Sequence, residues 1–186
     1  MISQKDFKKM KKEMESTDEL REKSIILSRN IIKLSKTIIY SVHRDDINDA
    51  KKQMAEMRKK VQELASFADI GEGHVRTAFQ EYVEAATLYF FVSEKRLATS
   101  EELKVSAEHY LLGICDLSGE MVRLAINSSI RGDKKNAYDV REFLNRLYRE
   151  LLDFDLRNGD IRRKFDGIKY DLQKLDDLVF ELEGRK

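Results

Sequence analysis

Two acidic pairs, Glu81 with Glu84 and Asp116 with Glu120, lie in stretches that are otherwise apolar enough to be core. Glu81 and Glu84 are three apart in QEYVEA, so on a helix they share one face with Thr77, Gln80 and Leu88. Asp116, Glu120, Arg123 and Asn127 follow i, i+4, i+7 and i+11, a polar stripe through YLLGICDLSGEMVRLAIN. Spacing aligns the carboxylates within each segment but does not show that the two segments face each other. If they do, four carboxylates converge on a site offering only hard oxygen ligands, which suits Mg²⁺ or Mn²⁺. Close acidic groups repel unless a cation neutralises them or some take up protons. A divalent ion held there polarises phosphate oxygens and activates water, so phosphodiester hydrolysis is the favoured chemistry. The competing reading is a polar stripe that is solvated or paired with bases such as Arg123, and residue types and spacing alone leave it ahead.

Other chemistries find less support. A di-iron bundle needs Glu-x-x-His pairs, and none of His43, His74 and His109 has Glu three residues before it. Zinc lacks Cys/His clusters, and no Walker loop, GxGxxG turn or G-x-S-x-G elbow occurs. The single cysteine, Cys115, sits in an apolar run, reads as a small core side chain and cannot form an intrachain disulfide, which suits a reducing compartment.

The elements that must position these residues are helices. The 186 residues include no proline and only 8 glycines, with 37% charged, which favours long uninterrupted helices. Net charge is +1 from 35 basic and 34 acidic residues, so any polyanion site must come from local arrangement. Residues 3–15 read as a frayed helix or a basic arm. A capping-box pattern, Ser16 with Glu19, then predicts a long amphipathic helix with Leu20, Ile25, Leu27, Ile31, Leu34, Ile38 and Val42 on its apolar stripe, ending near Asp45 and Asp46. The next helix runs to about Asp69 with Met54, Met57, Val61 and Leu64 inward, and Gly71 and Gly73 break it. Residues 74–94 are apolar on nearly all sides, as a central or interface helix would be. A second capping box, Thr99 with Glu102, predicts a helix reaching Ile130 and stopped by Gly132-Asp133. Two more helices, 135–155 and 160–183, flank the turn Arg157-Asn158-Gly159. The expectation is one all-α domain over residues 1–186, a six- to seven-helix antiparallel bundle. No segment resembles a signal peptide or reaches transmembrane length, so a cytoplasmic protein without membrane contact is expected.

Four ordered motifs, ILSRNIIKLSKTIIYSVHR at 26–44, QEYVEA at 80–85, YLLGICDLSGEMVRLAINSSIRGD at 110–133 and RRKFDGIKYDL at 162–172, resemble the translin family. The resemblance covers nearly the whole chain from about residue 18. That family includes a single-stranded nucleic-acid-binding branch, translin itself, and a catalytic branch, translin-associated factor X, that acts in a Mg²⁺-dependent endoribonuclease. Glu81, Glu84 and Asp116 match acids of the catalytic branch, and translin has non-acidic residues at those positions. The segment RRKFDGIKYDL is more similar to translin, so features of both branches meet in one chain. With the compact length, this implies a prokaryotic, archaeal member that assembles with itself, as a homo-octameric shell enclosing RNA.

The resemblance therefore implies a metal-dependent endoribonuclease acting on single-stranded RNA, with single-stranded DNA as a further ligand. Glu81, Glu84 and Asp116 would hold Mg²⁺, for which Mn²⁺ could substitute, and Glu120 would serve as supporting ligand or base. The alternative is a non-catalytic RNA- or DNA-binding oligomer. His74 and Arg76 match a basic pair of translin that contacts nucleic acid. Arg29, Lys33, Lys36 and Arg44 form a basic stripe opposite much of the apolar face of the first long helix, readable as an RNA contact or as a solvated surface. Arg123 either orients a phosphate or pairs with Glu120. Tyr82 and Tyr89 read as core rather than as base-stacking platforms.

Overall fold

The computed structural model describes residues 3–67 and 72–184, and among these there are seven α-helices and no strand. Helix α1 spans Gln4–His43 and α2 spans Ile47–Leu64, continuing into a short 3-10 turn, Ala65–Phe67. Helices α3 (Glu72–Glu94), α4 (Ser100–Leu103), α5 (Ala107–Ile130), α6 (Lys134–Leu152) and α7 (Asp160–Gly184) complete the all-α bundle. Helix α1 packs on α2 and α3, α5 packs on α6 and α7, and an α3–α5 contact joins the two groups. No helix among the described residues is long and apolar enough to cross a membrane.

Most of the predicted inward positions form the core, with Ile31, Ile38, Met57 and Leu64 fully buried, Ile25, Leu27 and Leu34 partly so, and Leu20 exposed because α1 there has no helix packed against it among the described residues. Tyr82 and Tyr89 are buried there too. So is Cys115, whose thiol is pushed up to about 12, first by burial and then by the Asp116 carboxylate. The α3–α5 crossing depends on Gly113. A Cβ there would stand 2.5 Å from Val83 Cβ and 2.7 Å from the Gln80 carbonyl oxygen. Absence of a side chain lets the two backbones meet beside the acidic residues.

Three helix boundaries differ from the sequence expectation. Helix α1 does not start at Ser16. Ser3 caps it by accepting from the Asp6 N–H, and residues 4–15, mostly strong helix formers, run without a break into the Ser16 turn. The Thr99–Glu102 capping box forms as expected but heads only one turn, because Lys104 adopts a left-handed conformation with φ 55°. Ser106 then caps α5 afresh by accepting from His109 N–H. Helix α2 ends at Leu64, short of the expected Asp69, by tightening into the 3-10 turn, and Gly73 stands in the first turn of α3, past the break it was expected to make. Asp69 and Gly71 fall outside the described residues.

Candidate functional site

The Gly113 crossing brings the two acidic pairs together. Glu81 and Glu84 from α3 and Asp116 and Glu120 from α5 all lie half-buried and sense one another's charge. Burial pushes Glu84 up to about 8, with Asp116, Glu81 and Glu120 adding to the rise in that order. Glu81 is raised as well, again chiefly by burial, although Lys36 and Lys164 partly oppose this. Neither the Glu81 nor the Glu84 carboxylate has a hydrogen-bond or ion-pair partner among the described residues.

The other two acids are engaged. Asp116 accepts from Lys164 Nζ on α7 at 2.5 Å and from Gln80 Nε2 on α3. Glu120 accepts from the buried His43 Nε2 at 2.5 Å, and Arg123 stands 3.5 Å from the same oxygen. Burial alone would raise Glu120, but its bond to His43 and the charges of His43 and Arg123 outweigh burial and hold it below its usual value. His43 thereby ties the last turn of α1 to α5, while its Nδ1 is buried without a partner among the described residues. As the side chains stand, no three His, Cys, Asp or Glu groups among the described residues close on one point as metal ligands do.

The basic residues named from sequence divide. Arg76 is held by Asp160 of α7 at 2.9 Å and Glu108 of α5 at 3.0 Å, an ion-pair node that takes up both terminal nitrogens of its guanidinium. His74 Nε2 shares a 2.7 Å hydrogen bond with Ser24 of α1. Lys36 faces the cluster, close enough for its charge to act on Glu81. Lys33 instead lines a groove between α1 and α2 beside Gln53, Glu56 and Lys60. Arg29 and Arg44 are exposed. Arg123 does pair with Glu120, and its guanidinium also sits 5.0 Å over the exposed ring of Tyr40.

Sequence reasoning missed Lys164, His43 and Tyr40 as members of this region. Lys164 lay within a motif already singled out, but nothing in its spacing points at Asp116, which is 48 residues away. In the sequence His43 reads only as one of three scattered histidines that fit no iron, zinc or nucleophile motif. Its place on the buried stripe with Ile39 and Val42 was the one available signal.

Comparison with known proteins adds the context. The model of the Translin family matches residues 19–186. Translin-associated protein X of Rattus norvegicus is 26% identical over 226 residues, covering 96% of this chain and 78% of the relative. A protein of Methanocaldococcus jannaschii is 30% identical over 176 residues, covering 91% and 79%. Translin of Homo sapiens is 28% identical over a shorter stretch of 126 residues, 60% of this chain and 55% of translin. Among solved structures, apo-NeC3PO superposes with a TM-score of 0.90 at 31% identity over 97% of both chains. A duplex RNA complex of AfC3PO has the same fold, with a TM-score of 0.88 at 20% identity over 97% of both chains.

Proposed function

The chain belongs to the Translin family, and on that premise we propose that it is a metal-dependent endoribonuclease that cleaves single-stranded RNA inside a homo-octameric shell. The family and the shared fold support the coarser part of this reading, an oligomer that binds nucleic acid. AfC3PO, which has the same fold, is known in complex with duplex RNA. Hydrolysis is the finer part, and one observation carries it. Glu81 and Glu84 are kept half-buried without partners among the described residues, facing two further carboxylates. An arrangement serving stability alone would have given them donors or replaced them.

The donor chemistry fits a hard divalent cation, since two partnerless carboxylates stand one turn apart beside Asp116 and Glu120. Glu81, Glu84 and Asp116 would hold Mg²⁺ or Mn²⁺, with Glu120 in support. The chemistry that such an ion supplies is polarisation of the phosphodiester and activation of water for attack on phosphorus. The protein's own residues do the rest. Burial holds the proton on Glu84 at neutral pH until a cation displaces it. His43 and Arg123 fix Glu120 as a carboxylate. Lys164 and Gln80 orient Asp116, and the lysine supplies charge balance in the ion-free protein. Lys36, Arg123 and the exposed Tyr40 offer a basic and aromatic approach on which a single strand can lie.

RNA cleavage by the wild type and by Glu81→Gln, Glu84→Gln and Asp116→Asn, with and without EDTA, tests the assignment. Loss of cleavage in all three variants and on chelation is expected, and wild-type rates in the variants would refute it. A non-catalytic nucleic-acid-binding oligomer remains the second reading, favoured by the single observation that Lys164 already neutralises Asp116. It predicts salt-sensitive RNA binding with no metal-dependent turnover.

A further inference from the structure

The N-terminal half of α1 leaves the bundle. Every residue from 4 to 23 is exposed, a projecting length of about 30 Å at the helical rise. Its last tie to the body is the bond from Ser24 to His74, in the first turns of α3. Inside the bundle, α1 buries Ser24, Ser28, Ile31, Ser35, Ile38 and Val42. Those positions alternate steps of four and three, the spacing of a seam between paired helices. The same alternation runs on toward the N-terminus without a slip, through Arg21, Thr17, Met14, Met10 and Phe7. There the seam has nothing on it among the described residues, with Phe7 60%, Met10 41% and Met14 68% exposed.

Charge along the arm indicates what covers it. Residues 5–12 carry five lysines and one aspartate, whereas residues 13–23 carry five acids and two bases. Two arms laid parallel would set lysine on lysine. Laid antiparallel about a two-fold axis near Met14, each basic half meets the partner's acidic half, Met14 meets Met14, and Phe7 and Met10 are covered by the partner's Arg21 stem and Thr17. The short ion pairs Lys9–Glu13 and Lys11–Glu15, 3.6 and 3.8 Å within the helix, straddle this boundary and are too exposed to hold the charges from an intermolecular partner.

We propose that the N-terminal half of α1 is a self-complementary docking arm that pairs antiparallel with the same arm of a second copy of this chain. The inference rests on the oligomeric part of the proposed function and names the surface through which two copies join. The arm lies outside the bundle, so reversing its charges leaves the core untouched.

Sedimentation of the full chain tests it, with far-ultraviolet circular dichroism confirming that each variant stays helical. Lys8→Glu, Lys11→Glu and Lys12→Glu together should weaken self-association by about tenfold or more. Glu15→Lys, Asp18→Lys and Glu19→Lys together should do the same. Mixing the two triple variants, or combining all six changes in one chain, should restore the wild-type mass. In an oxidised sample, Met14→Cys should cross-link between copies and Phe7→Cys should not, because only a position near the two-fold axis meets itself. Wild-type mass in both triple variants, or no recovery on mixing, overturns the inference and leaves the oligomeric reading intact. Loss of RNA retention with unchanged mass overturns it in favour of nucleic acid as the arm's partner. A wild-type chain that is monomeric at all concentrations overturns both.

Discussion

Two clusters of charge sit where α3, α5 and α7 meet, and they close in opposite ways. At one, Arg76 of α3 is gripped by Glu108 of α5 and Asp160 of α7, and Asp160 also takes Arg163 at 2.8 Å. Each carboxylate there has a cation. At the other, four carboxylates come from α3 and α5: Asp116 holds Lys164 of α7, Glu120 holds His43 and Arg123, and Glu81 and Glu84 are left without a donor among the described residues. The first is a clasp, balanced and partly solvated, of the kind worth about 0–1 kcal/mol. The second retains like charges in a partly buried place at a cost to stability. Sites that hold such unfavourable charge are where function is concentrated.

The sharpest break of this comparison is kinetic. Glu84→Gln or Asp116→Asn should lower metal-dependent RNA cleavage by roughly a hundredfold or more, whereas Arg76→Gln should leave turnover near wild type. A single-turnover assay distinguishes them. If Arg76→Gln is the more damaging change, the two clusters have been assigned the wrong way round.

Next in size is the coupling between Mn²⁺ binding and pH. Because burial raises Glu84 to about 8, the ion must displace a proton at neutral pH. Affinity measured by calorimetry should rise about tenfold per pH unit between 6 and 8 and flatten above. The same shift carries a stability sign. Folded Glu84 binds its proton more tightly than the unfolded chain, so its contribution is fully present below about pH 4.5 and is lost as pH rises toward 8. Glu84→Gln should therefore raise the melting temperature of the metal-free protein at pH 8 and leave it unchanged at pH 4. An equal gain at both would show that the charge is not the cause.

Gly113→Ala should follow, at about 1–3 kcal/mol of lost stability in urea unfolding, since a methyl group must push against Val83 and the Gln80 carbonyl. Widening that crossing separates the acidic pairs, so Mn²⁺ affinity should fall with it. The smallest effect expected is from Lys164→Met. Without the competing ammonium on Asp116, the protein should bind Mn²⁺ a few-fold more tightly by calorimetry, and weaker binding would mean that Lys164 serves only to place Asp116.

Much of the fold could be read from residue order. Helical periodicity placed Ile31, Ile38, Met57 and Leu64 in the core, and the Arg157-Asn158-Gly159 turn separated the last two helices at nearly the right residues. Capping boxes served less well. The one at Thr99 formed and headed a single turn, and the one at Ser16 lay in mid-helix. A cap motif satisfies donors that a continuing helix satisfies equally well, so it marks a start only where the backbone has already turned.

The sequence by itself determined which carboxylates lie together on a helix face, because i, i+3 and i, i+4 neighbours are set by the helical repeat and nothing else. The motifs in their order determined the family. Tertiary structure alone decided that the two faces meet, through a glycine that lets α3 and α5 touch at Gln80 and Val83. It also decided that Lys164 and His43, 48 and 77 residues from the acids they bond, complete the cluster. Contacts at that separation depend on how whole helices cross, a sum of packing over many side chains that no local spacing encodes.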